Sequence, residues 1–305
     1  MTQQAKRVMR FIGVSTASSS INKVFPKWSE LLDLNAELKG LDLPIGATSQ
    51  QYQAALEEMR SDKNCAGALV TTHKIALFNS ANEMFTSFDQ VAAACGEVSC
   101  VKIVNGKIEG AAKDPITAGL AIEEFLPRGY FKNGADVLVF GDGGAATAIA
   151  WYLTGLASPP RKVHFFGINS ERLLHLTKVI ESRPGSDLVE THISSKDAIE
   201  KILEELNPGS LIINATGMGK DIPGNPMPEG ISFPNESVIW ELNYRGSLEF
   251  LRQAEAEASS SNLKVYDGWR YFIHGWSSVV AEVFDIKLTP ELLAKLSQAA
   301  EVARQ

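Results

Sequence analysis

A chain of 305 residues with 36 acidic and 29 basic side chains carries a net charge of −7 and has no basic run interleaved with aromatics, which argues against a nucleic-acid partner. Its 45% hydrophobic content supplies one large core or, at ordinary domain size, two, and no stretch reaches the roughly 20 apolar residues of a membrane span. Three cysteines, Cys65, Cys95 and Cys100, form an odd set without zinc-ligand spacing. No disulfide framework and no metal are expected, and the setting is read as reducing and cytoplasmic.

In chain order, residues 8–14 read as a strand. The polar loop 15–20 then caps a helix over 21–32 that gathers Val24, Trp28, Leu31 and Leu32 on one face. A strand at 38–43, a helix at 50–60 and a buried strand at 66–70 follow, the last running into Thr71-Thr72-His73-Lys74. Helices over 74–85 and 89–94 precede two strands, 98–104 and 107–111, joined by Asn105-Gly106, a strong hairpin signal. This portion reads as an α/β domain, and Asp114-Pro115 breaks the pattern before a helix over 116–126.

The most telling stretch comes next. Residues 137–140 are an apolar strand, Gly141, Gly143 and Gly144 make a turn, and a helix opens at Ala145. A glycine turn between a strand and a helix lets the backbone approach a diphosphate, and the free N–H groups of the helix start favour the anion. Strands over 162–167, 188–193, 211–215 and 237–243 alternate with helices over 170–181 and 195–206, as in a doubly wound parallel sheet. Residues 267–284 read as a helix, and Thr289-Pro290 opens a final one to residue 304. The expected fold is thus an N-terminal α/β substrate domain, residues 1–115, and a Rossmann-type doubly wound parallel-sheet domain, 116–265. C-terminal helices, 266–305, are expected to pack back on the first.

Lys74, between a buried strand and a helix, and Asp114, at the end of the hairpin, are both expected to face the cleft between domains. Each has an ordinary reading, a solvated helix-start lysine and a helix cap. Beside a dinucleotide domain they also suit the acid/base work that hydride removal from an alcohol requires, a lysine held by an aspartate. His73 adjoins Lys74 and can tune it; His164 and His175 are read as structural, and the tryptophans as core.

The ordered set Thr71-Thr-His-Lys74, Gly96-Glu-Val-Ser-Cys100, Gly110-Ala-Ala-Lys-Asp114, Gly141-Asp-Gly-Gly-Ala145, Ile213-Asn-Ala-Thr216-Gly and Asp267-Gly268 resembles the shikimate/quinate dehydrogenase family over nearly the whole chain. The resemblance implies Lys74 and Asp114 as the catalytic pair. Substrate contacts are expected at Ser19, Thr71, Thr72, Ser99, Tyr244 and His274, and cofactor contacts at Gly141, Gly143, Gly144, Ala145, Asn169, Arg172, Asn214, Thr216 and Gly268. The resemblance further implies a place in aromatic amino acid biosynthesis.

Several positions depart from the family pattern. Ile21 stands where the second serine of the carboxylate clamp belongs. Val98-Ser99-Cys100 replaces Val-Asn-Thr, Ala112-Lys113-Asp114 replaces Asn-Thr-Asp, and the family's glutamine falls near Gly275, beside His274. A pocket keeping the catalytic pair but changing these partners suits a related ligand, and Lys113 or Arg270 can supply a cation for its carboxylate. Gly167-Ile-Asn169 lacks the arginine that meets a 2′-phosphate, so NAD is slightly favoured over NADP, while Asp142 places an anion in the glycine turn. The expected activity is NAD(P)-dependent oxidation of a secondary alcohol on a shikimate- or quinate-like cyclic hydroxy-carboxylate, by a monomer or homodimer. The alternative is a non-catalytic small-molecule or dinucleotide sensor on the same fold.

Overall fold

The computed structural model describes residues 5–220 and 222–304. The chain divides into two compact units: residues 1–114 with 273–305, and residues 115–272.

The first unit is built on β1 (Arg7–Gly13), α1 (Ile21–Leu31), β2 (Ala36–Asp42), α2 (Ser49–Ser61), β3 (Cys65–Val70), α3 (Lys74–Ala81), β4 (Ser87–Phe88), α4 (Gln90–Cys95), β5 (Cys100–Val104) and β6 (Lys107–Ala111). Its sheet runs β2-β1-β3-β5-β6-β4, with β5 antiparallel to both neighbours. The reversal is made by Asn105 and Gly106, both left-handed at φ 51° and 75°, the twist that suits a two-residue hairpin. Every residue of β3 is buried, as a strand with neighbours on both edges and both faces covered must be. Ile12, Tyr52, Leu56, Val70, Leu77 and Val101 form the core against one face. The helix expected over 74–85 stops at Ala81 and passes into a 3-10 turn, Asn82–Met84.

The second unit opens at Pro115 within α5 (Asp114–Phe125) and continues through β7 (Val137–Phe140), α6 (Gly144–Thr154), β8 (Val163–Gly167), α7 (Ser170–Ile180), β9 (Val189–Ile193), α8 (Lys196–Glu205), β10 (Leu211–Asn214), β11 (Val238–Glu241), α9 (Glu249–Glu257) and β12 (Lys264–Tyr266). Its six strands are all parallel in the order β12-β11-β10-β7-β8-β9, a doubly wound sheet. Leu138, Phe140, Ile212 and Ile239 meet Ile199, Ile202 and Phe250 on one face. The sequence shows neither α9 nor β12. In α9 only Phe250 and Ala254 are buried, so its apolar period is thin, and β12 has three residues.

α10 (Trp269–Val283) and α11 (Pro290–Ala300) end the fold, and the first unit takes in the chain from Ile273 onward. Within it the buried Trp28 indole on α1 donates to the Leu296 carbonyl on α11 at 2.8 Å, and Phe11 meets Trp276 edge-on at 4.9 Å. No helix among the described residues is long and apolar enough to cross a membrane. Trp28→Phe keeps most of the buried area but removes the indole donor to the Leu296 carbonyl, and is expected to cost about 0.5–1.5 kcal/mol. A urea titration checks this, and an unchanged midpoint would contradict the role of the bond.

Candidate active site

β3 delivers the chain to the helix that begins at Lys74. The corner is pinned by His73, which is 3% exposed: its Nδ1 lies 2.8 Å from the Tyr52 hydroxyl and its Nε2 3.0 Å from the Leu43 carbonyl. His73 is therefore engaged on both ring nitrogens and holds the turn. Its neighbour Lys74 points its ammonium at Asp114, donating to Oδ2. Only 18% of the lysine side chain and 11% of the aspartate side chain are exposed. Burial disfavours the ammonium, but the Asp114 and Glu97 carboxyl groups outweigh it, and the Lys74 pKa is held above its ordinary value. Lys74 rests protonated.

Glu97, unremarked in the sequence, shares this site. It follows Gly96, the left-handed cap of α4, and the next residue, Val98, donates its N–H to the Lys74 carbonyl at 3.2 Å. The side chain is 1% exposed and neither oxygen has a hydrogen-bond partner among the described residues. Burial, with the nearby charges of Asp114 and Asp89, pushes its carboxyl up to about 8 against the pull of Lys74. At pH 7 Glu97 is a neutral acid within the field of the lysine, an arrangement that collects at functional sites. No amide or hydroxyl in the family motif announces it; the only sign was an acidic residue in a run that packs into the core.

The remaining substrate candidates of the first unit fall at several places. Ser19 and Thr71 are half-buried after β1 and β3, and Thr72 is exposed; the Thr71 hydroxyl donates to the Ile12 carbonyl. Ser99 is buried and accepts the Lys113 N–H at 2.7 Å. The Lys113 ammonium donates to Glu282 at 3.0 Å and lies 3.8 Å from Asp89. His274 is buried on α10. Tyr244, in the second unit, packs on Trp269 and Phe272, and Arg270 pairs with Glu124 through two nitrogens.

In the second unit the glycine turn is shaped for close approach. Gly141 has φ 134°, and a Cβ there would sit 2.8 Å from the Ala215 carbonyl oxygen, whereas one on Gly143 would meet nothing within 4 Å. α6 starts at Gly144, with Ala145 in its first turn and no side chain capping it, so its first amides are available to an anion. Asp142 is only 8% exposed and turns its carboxylate to the far side of the loop. Oδ2 accepts the N–H groups of Ile168 and Asn169 at 2.9 Å each, and Arg172 lies 3.6 Å away. Its charge sits at the end of β8. Asn169 spends its side chain capping α7 through the Arg172 N–H, and Ile168 is 86% exposed beside it.

A second polar latch, also invisible in the sequence, closes the β10 loop. Glu241 is fully buried and accepts from Asn214 Nδ2 at 2.6 Å and from the Asn243 N–H at 2.7 Å, and burial pushes its carboxyl up to about 7. Asn214 Oδ1 in turn accepts from the Thr216 backbone and hydroxyl. Gly268 packs so tightly that a Cβ would lie 1.8 Å from the Leu242 carbonyl oxygen. A diphosphate therefore fits the Gly141–Gly144 turn, with Asn214 and Gly268 shaping the loops around it.

An all-parallel doubly wound unit with an open glycine turn, in a chain whose other unit carries a shielded lysine–aspartate pair, defines a two-domain α/β protein of the Rossmann dehydrogenase class. No protein-family model matches the chain. The shikimate dehydrogenase (NADP(+)) of Methanocaldococcus jannaschii is 28% identical over 205 residues, 66% of either protein. The enzyme of the same name from Streptococcus gordonii is 23% identical over 231 residues, 75% of either. The chain thus spans 66% and 75% of the length of these relatives. Among solved structures, shikimate dehydrogenase from Aquifex aeolicus superposes with a TM-score of 0.75 at 18% identity, over 97% of this chain and 99% of that one. Quinate dehydrogenase from Corynebacterium glutamicum, solved with NAD, gives 0.74 at 19% identity, over 96% and 98%. By sequence and by fold the chain is similar to the shikimate and quinate dehydrogenases.

Glu97 makes a testable contribution to stability. Folded, it keeps its proton up to about pH 8; unfolded, it loses it near the ordinary carboxylate value. Stability is full below the unfolded pKa and falls as pH rises toward 8, by an amount on the order of a few kcal/mol. Glu97→Gln should remove that part of the fall. Urea midpoints at pH 5 and pH 8.5 measure it; equal pH slopes in both proteins would refute a buried neutral acid.

Proposed function

We propose that this chain is an NAD-dependent oxidoreductase that interconverts a secondary alcohol and its ketone on a small hydroxylated cyclic carboxylate akin to shikimate or quinate. The observation that carries this is the shielded Lys74–Asp114 pair, in a chain whose second unit offers a site for a nicotinamide dinucleotide. That cofactor, when bound, supplies or accepts the hydride. Lys74 supplies the proton: as an ammonium it donates to the oxygen of the ketone being reduced, and as an amine it accepts from the hydroxyl being oxidised. Asp114 holds the Lys74 nitrogen in place and compensates its charge. Because Asp114 and Glu97 raise the Lys74 pKa, the resting protein is already in the form that reduction needs, and oxidation requires the ammonium to lose a proton first. A purely sensory role would leave this acid/base pair without a task.

Two features bear on selectivity. Lys113 is engaged by Glu282 and Asp89, so a substrate carboxylate must compete with them for it. The Asp142 carboxylate takes up the two backbone N–H groups directly after β8, the region that in this fold meets the adenine ribose. An anion there accepts a ribose hydroxyl and repels a 2′-phosphate, which supports NAD over NADP.

Lys74→Ala should lower turnover by about 10² to 10⁴ while leaving NAD affinity near normal. A panel of shikimate, quinate and their amino analogues, assayed with both cofactors, measures this, and unchanged turnover would sink the assignment. With the native chain, alcohol oxidation should climb with pH across the alkaline range, while ketone reduction falls there. Calorimetric titration should find NAD bound about tenfold or more tighter than NADP, the worth of roughly one unfavourable charge contact; preference for NADP would overturn the reading of Asp142.

A further inference from the structure

The edge of the parallel sheet carries a second cluster of donors, remote in sequence from the glycine turn. In the β8–β9 register His164 stands opposite Glu190, and Phe166 opposite His192. Residues two apart on a strand share a face, so His164, Glu190 and His192 project together. His164 Nδ1 lies 3.2 Å from His192 Nε2, and Glu190 Oε2 lies 3.5 Å from the first and 4.0 Å from the second. Only the first separation is a hydrogen bond; the carboxylate oxygen is too far from either ring for one. A triangle with these sides has a circumscribed radius, the product of the sides over four times the area, of about 2.1 Å, the length of a zinc–nitrogen or zinc–oxygen bond.

We propose that His164, Glu190 and His192 form a binding site for a transition-metal dication, zinc above all, in the second unit. Two imidazoles and one carboxylate are a borderline-soft donor set that favours zinc over magnesium or calcium. Because the two facing ring nitrogens share one proton in their hydrogen bond, a bound metal moves that proton off them. Lys162 bonds to Oε1 at 2.5 Å, which leaves Oε2 to the metal while its charge tempers the affinity. The Phe166 ring stacks on His192 at 4.9 Å and 25° and fixes the imidazole plane. Side-chain exposure runs from 4% at His164 through 25% at His192 to 42% at Glu190, so an ion enters from the Glu190 side and water completes its coordination. Bound there, it ties the edge strand β9 to β8. Sequence spacing hides the set because the first ligand is 28 residues from the last.

The test uses the full chain, stripped with EDTA and dialysed against zinc chloride with the bound metal quantified. One equivalent should bind saturably in the micromolar range and raise the thermal midpoint. His192→Ala and Glu190→Gln, both at partly exposed positions, should each weaken binding by about tenfold or more and abolish the thermal shift. The absence of saturable binding, or binding undiminished in both variants whose circular dichroism matches the native chain, overturns the site. Neither readout depends on substrate turnover, so the site and the dehydrogenase reading stand or fall separately.

Discussion

An ammonium withdrawn from water must be held by anionic partners or give up its proton, and much of the first unit follows from holding one. Lys74 sits where the fully buried strand β3 turns into α3, a corner that His73, Tyr52 and the Leu43 carbonyl keep from moving. Asp114 comes from the other end of the unit, after the β5–β6 hairpin, and the residues between Gly96 and Ser99 are stitched by backbone bonds to Lys74 on one side and Ala111 on the other. The hairpin, the corner and this loop thus converge on one nitrogen. Burial, and after it the negative charge of Asp114, keeps the proton on the neighbouring Glu97.

The same economy of charge governs the nucleotide-binding unit. An aspartate within a phosphate turn is, on electrostatic grounds alone, a poor choice, and it would weaken a diphosphate site if its carboxylate faced the ligand. Its rotation onto the Ile168 and Asn169 N–H groups removes the conflict and moves the charge to the end of the neighbouring strand. One side chain serves two loops: it leaves the helix start open and ties down the turn after β8 through the Ile168 and Asn169 N–H groups.

Much of the fold was legible because its signals are local. Alternation of buried strands with amphipathic helices, Asn105-Gly106 for the hairpin and the glycine cluster before Ala145 each act within a few residues. Helix α9 and strand β12 escaped because their burial is slight and their sequence carries little period. The proximity of Lys74 and Asp114 was legible through the motifs around them. Glu97, Glu241 and the orientation of Asp142 were not, since each acquires its character from burial and from partners far along the chain. A carboxylate in a string of letters looks the same whether it faces water, a backbone N–H or nothing at all.

The division of the chain also sets an order of events at the ribosome. Residues 115–272 form one uninterrupted unit and can collapse as soon as they emerge, whereas the other unit is split, its last piece being residues 273–305. Until α11 is made, Trp28 lacks the Leu296 carbonyl, and α1 presents an uncovered apolar face. The earlier piece of the split unit is thus completed only after the later one has been translated.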